Sequence, residues 1–109
     1  MMADEPSLTL LRSKVRDVPD FPTLGILFKD ITPILSDHLA MDAVLSLLAQ
    51  AVEDLTFDVI AAPEARGFIL AAPLARHCRV GLALIRKPGK LPAATLSHTY
   101  SLEYGNDTL

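Results

Sequence analysis

The chain has 109 residues, half of them apolar, and 10 Lys and Arg against 13 Asp and Glu leave a net charge of −3. That length fits one small domain with a modest core, and cations scattered along an acidic chain argue against a nucleic-acid or membrane surface as the main partner. Cys78, the one cysteine, allows no internal disulfide and points to a reducing, cytoplasmic setting.

Ser7 is placed to cap a first helix over about 8–17, where Leu8, Leu11, Val15 and Val18 form a narrow apolar stripe. Pro19, Pro22, Gly25 and Pro33 then punctuate 19–33, which predicts a stretch without regular structure. Within it lies Gly25-Ile26-Leu27-Phe28-Lys29-Asp30, a short apolar patch that must pack on the core or on a ligand. Asp37 caps a second helix over about 38–54, with Met41, Val44, Leu45, Leu48, Ala51, Val52 and Leu55 at helical spacing. No apolar run approaches the roughly 20 residues that cross a bilayer, and no charged head followed by an apolar stretch marks a leader.

The second half reads as a βαβ unit: a strand at 58–62, a helix over about 67–77 that Pro73 should kink or delay, and a strand at 80–85. Such units build parallel sheets, and open α/β sheets bind ligands past the carboxyl ends of their strands. The first strand runs into Glu64-Ala65-Arg66-Gly67 at a helix N-terminus, which attracts anions through its N–H groups and dipole. The second runs into Arg86-Lys87-Pro88-Gly89-Lys90, three cations around a Pro-Gly turn. Two anion-binding features at one sheet edge point to a phosphate-bearing ligand. From Thr95 onward apolar and polar residues alternate as in a strand, as an arm or hairpin leaving the sheet. His38, His77 and His98 show no metal-ligand spacing, so no protein-built metal site is expected.

Four blocks stand in the same order in a known family: Phe21-Pro22-Thr23-Leu24-Gly25-Ile26-Leu27-Phe28-Lys29-Asp30-Ile31, Glu64-Ala65-Arg66-Gly67-Phe68, Arg86-Lys87-Pro88-Gly89-Lys90-Leu91-Pro92 and Tyr100-Ser101-Leu102-Glu103-Tyr104-Gly105. Over nearly its whole length the chain resembles the adenine phosphoribosyltransferases. The resemblance implies a partial type I phosphoribosyltransferase fold: an α/β arrangement of a parallel sheet with flanking helices and an N-terminal hood-like segment. The family transfers phosphoribosyl from phosphoribosyl diphosphate (PRPP) to adenine, giving AMP and pyrophosphate with Mg²⁺ held through the diphosphate.

By that resemblance Leu27, Phe28 and Lys29 would form the adenine pocket, Phe28 stacking on the base. Glu64, Ala65 and Arg66 would be the pyrophosphate loop, with a cis peptide between the first two. Lys87, Lys90 and Tyr104 would join them in binding the diphosphate of PRPP. Residues 100–105 would be a closing catalytic loop in which Glu103 moves the proton, and closure would exclude water. A homodimer is implied in the same way.

One feature departs from the family pattern. No pair of adjacent acidic residues followed by a Thr/Gly-rich phosphate loop occurs, and the chain ends at Asn106-Asp107-Thr108-Leu109. The expectation is an N-terminal fragment of a single domain, inactive alone, with ribose and 5′-phosphate bound by residues it lacks. Two other readings fit the loops: a phosphoribosyltransferase for another base such as xanthine, and a non-catalytic PRPP-sensing regulator on the same fold. Against the regulator, residues 1–18 carry only Arg12, Lys14 and Arg16 among acids, and Glu103 suits an enzyme.

Overall fold

Helix α1 spans Glu5–Lys14, earlier than expected, so Ser7 lies inside it instead of capping it. Pro6 in the opening turn costs no intrahelical bond, and Glu5 complements the helix dipole. The computed structural model describes residues 5–92, 94–97, 99–102 and 105–108. These divide into two compact units, one ending at Leu55 and one beginning at Thr56.

The expectation of an irregular 19–33 is corrected by the first unit. Strands β1 (Arg16–Pro19) and β2 (Leu27–Asp30) pair antiparallel, Arg16 opposite Asp30 and Asp17 opposite Lys29. Opposite charges at both positions hold the register: Arg16 Nε donates to Asp30 Oδ2 at 3.0 Å, and Lys29 Nζ to Asp17 Oδ1 at 2.6 Å. The prolines are tolerated because Pro19 closes β1 and Pro22 lies in the connection, after a cis Phe21–Pro22 peptide. Asp20 (φ 57) and Gly25 (φ 87) turn that connection, and Gly25 N–H donates to Asp20 Oδ1 at 2.8 Å.

A single turn, α2 (Thr32–Leu35), leads into α3 (His38–Val52). Asp37 caps α3 as expected: its Oδ1 accepts the Leu39 N–H at 3.0 Å. Its Oδ2 lies 2.9 Å from Lys14 Nζ, tying the end of α1 to the start of α3. Ile34 and Ala40 are buried there, as is the Asp30 carboxylate, which accepts from Thr32 N–H at 2.9 Å.

The second unit contains the βαβ arrangement. Strands β3 (Val59–Pro63) and β4 (Gly81–Ile85) run parallel, Ile60 beside Leu82 and Ala62 beside Leu84. Helix α4 (Arg66–Cys78) connects them and runs unbroken through Pro73. Its buried Ala71, Leu74 and Ala75 fall on one face, and Ala62 of β3 is buried as well. Arg79 takes a left-handed conformation (φ 59) that ends α4, and Val80 N–H returns to Ala75 O at 3.1 Å. Strands β5 (Thr99–Leu102) and β6 (Gly105–Thr108) form the expected hairpin, antiparallel, with Thr99 opposite Thr108.

Candidate functional site

Parallel pairing with Pro63 opposite Ile85 brings the carboxyl ends of β3 and β4 side by side. The chain leaves β3 through a cis Glu64–Ala65 peptide, the bond the family resemblance implied. It enters α4 at once, with Ala65 as N-cap, so Arg66 opens the helix where its dipole favours anions. The entry is tight. A Cβ on Gly67 would lie 3.1 Å from Pro63 Cδ and 3.4 Å from Ala62 Cβ, so glycine lets the helix start directly on the strand end.

Past β4 the cationic loop is a defined turn. Lys90 N–H donates to Lys87 O at 3.3 Å, with Pro88 and Gly89 (φ 81) between them. Pro at the second position and a left-handed glycine at the third are the residues a type II turn requires. The turn gathers two cations, Arg86 and Lys90, and the Lys87 backbone N–H around one acid. The Glu64 carboxylate, only 9 % exposed, accepts from the Lys87 backbone N–H and, at Oε2, from Lys90 Nζ at 2.8 Å. Arg86 Nε lies 3.7 Å from Glu64 Oε1; it is buried and has no hydrogen bond. The Lys90 hydrogen bond, then the Lys87 N–H and the nearby cations, hold the Glu64 carboxyl below the usual carboxylate range against the opposing effect of burial. Glu64 N–H is also committed, donating to Ile85 O at 2.8 Å.

An open cleft of about 800 Å³ adjoins this loop, bordered by Leu84, Ile85, Arg86, Lys87, Leu91 and Leu96 among others. It has the size and mixed lining of a small-molecule site. Among the described residues no group of three or more His, Cys, Asp or Glu converges as metal ligands do.

In the first unit the patch expected to face a base lies on β2. Phe28 is half-buried and meets Phe21 edge-on, ring centroids 5.1 Å apart at 68°. Leu27 is 52 % exposed, so the ordinary reading of this patch as core does not hold for it. Lys29 points its ammonium to Asp17 at the surface. Nothing in the sequence around Phe21 signals this ring contact with Phe28, seven residues on. Arg86 is one of the three cations read in the turn, but nothing local in the sequence signals that it shares Glu64 with Lys90. Glu103 and Tyr104 lie outside the described residues.

No family model matches the chain. It is 54% identical over 103 residues to the adenine phosphoribosyltransferase of Thermoanaerobacter pseudethanolicus, which covers 94% of this chain and 60% of that protein. The crystal structure of adenine phosphoribosyltransferase from that organism matches with TM-score 0.85 over 93% of this chain and 59% of its own. The Giardia lamblia enzyme complexed with 9-deazaadenine matches at TM-score 0.88 and 35% identity, over 99% of this chain and 58% of that one. The Saccharomyces cerevisiae enzyme, complexed with adenine and an imino-altritol bisphosphate, matches at 0.84 and 32%, over 96% and 62%. The resemblance read from the sequence is therefore found along almost all of the chain, and its α/β arrangement is part of the fold those enzymes have. The chain spans about 60% of the length of the curated relatives it matches.

Proposed function

We propose that this chain is the base- and diphosphate-binding part of an adenine phosphoribosyltransferase, which transfers phosphoribosyl from PRPP to adenine to give AMP and pyrophosphate in purine salvage. One observation carries the reading: at the paired ends of β3 and β4, the opening of α4 with Arg66 and the turn with Lys87 stand together. An anion bridging them meets a helix dipole and charge-assisted donors at once. The 54% identity to named adenine phosphoribosyltransferases supports adenine as the acceptor.

On this reading Leu27, Phe28 and Lys29 serve the base, Phe28 by stacking, and Phe21 braces it edge-on. Glu103 belongs to the loop that closes over the reaction and manages the proton of the attacking purine. Mg²⁺ arrives on the diphosphate: it prefers phosphate oxygens and water to an all-protein cage, and the Glu64 oxygens at this site are already held by Lys87 and Lys90. A cytoplasmic homodimer completes the proposal. The single cysteine suits a reducing compartment, and among the described residues no helix is long and apolar enough to cross a membrane.

The test is AMP formation from adenine and PRPP. The full-length protein should make AMP and release pyrophosphate in equal amounts, whereas residues 1–109 alone should make none, because ribose and 5′-phosphate are bound elsewhere. No AMP from the full-length protein would overturn the reading, and AMP from residues 1–109 would overturn the division of labour.

A further inference from the structure

The carboxylate at the centre of the cationic turn has a consequence for any anion that comes there. Glu64 stands at the end of β3 and reaches the turn 86–90 past the end of β4. Its two oxygens take the Lys87 backbone N–H and the Lys90 ammonium, groups on the turn assigned to the diphosphate. Glu64 itself has no donor to give, since its side chain accepts and its N–H is bound to Ile85 O. Arg86 Nε, buried beside the same carboxylate and without a hydrogen bond, shows that this cluster holds more donor capacity than one carboxylate uses.

We infer that Glu64 is a built-in anion that competes with diphosphate for the Lys87 N–H and the Lys90 ammonium. The inference rests on the diphosphate reading above and adds a specific device to it: Glu64 keeps the turn folded and neutralised while the site is empty, and yields its donors when the ligand enters. Occupation of the turn by Glu64 gives the Lys87 N–H and the Lys90 ammonium a fixed partner between turnovers, which an open basic loop would leave to water. It also weakens product pyrophosphate, which must displace a carboxylate already in place, and so favours release.

The competing possibility is a permanent tie, in which Glu64 positions the turn and stays put when the anion binds. The two predict opposite signs. Calorimetric titration of inorganic pyrophosphate into the full-length protein, at fixed pH and ionic strength, separates them. Glu64→Gln keeps the shape but gives up the charge, and should tighten pyrophosphate about fivefold, the scale of one partly exposed ion pair. Glu64→Gln in a Lys90→Met background should lose that gain. In the wild-type protein, where folding is not in question, ¹³C-carboxyl titration should show the Glu64 pKa rising when pyrophosphate saturates the site.

Weaker or unchanged pyrophosphate binding in Glu64→Gln, or a Glu64 carboxyl whose titration ignores pyrophosphate, overturns the inference. Arg66→Ala distinguishes this failure from failure of the diphosphate reading. If Arg66→Ala loses pyrophosphate while Glu64→Gln does not gain it, only the competition is wrong. If neither variant departs from wild type, the diphosphate is not bound here and both fall.

Discussion

Arg66 and Lys87 carry the diphosphate reading at the scale of single side chains. Each stands just past one of two paired strand ends, so each should contribute one charge-assisted contact. Arg66→Ala or Lys87→Ala should weaken PRPP and pyrophosphate by roughly 1.5–3 kcal/mol, the cost of a lost hydrogen bond to a charged group. Adenine affinity should hardly move. Unchanged PRPP affinity in both variants would make them ordinary surface cations. Glu103 carries a different claim, since N9 of adenine attacks well only if a ring proton is managed elsewhere. Glu103→Gln keeps shape and reach without the ionisable proton, so it should slow the single-turnover step by about 10²–10⁴-fold while both substrates still bind. A wild-type single-turnover rate would remove Glu103 from the chemistry. Sequence alone placed Arg66 and Lys87 at strand ends because the β-strand and turn signals around them are local. It could not show Glu64 joined to Lys90, which is 26 residues away.

At the scale of elements, the first unit depends on two carboxylates held ionised. The Asp30 carboxyl is kept below its usual range chiefly by the Thr32 N–H and then by Arg16, and the Asp37 carboxyl chiefly by Lys14 with help from the N–H groups opening α3. A carboxylate whose folded pKa is depressed stabilises the fold above its unfolded value, near 4, and loses that contribution as pH falls through the folded value. Urea midpoints should therefore be flat in this respect from pH 7 to about 5 and fall below about 4. Asp37→Asn should flatten the acid limb, and an unaltered limb would mean that the cap and its Lys14 pair add nothing. Helix α3 was legible because its cap and its apolar period agree in one local stretch. The β1–β2 hairpin was not, for a physical reason. Its strands have four residues each, Pro19 in β1 and Pro22 in the connection read as breakers, and the cross-strand pairs that fix the strands lie 14 and 12 residues apart.

At the scale of the whole molecule, the parallel β3–β4 sheet leaves large apolar side chains uncovered among the described residues. Parallel sheets are normally covered on both faces, yet Val59 is 49 % and Leu84 43 % exposed. The central claim is adenine-specific phosphoribosyl transfer. A site built to hydrogen-bond the 6-amino group leaves buried groups unpaired against a 6-oxo base, a penalty that reaches about 10⁴-fold. The most direct measurement is kcat/KM of the full-length protein for adenine, hypoxanthine, guanine and xanthine with saturating PRPP. Adenine should be used efficiently, with losses of about that order for the three oxo-purines; hypoxanthine or xanthine used as well as adenine, or better, would contradict adenine specificity.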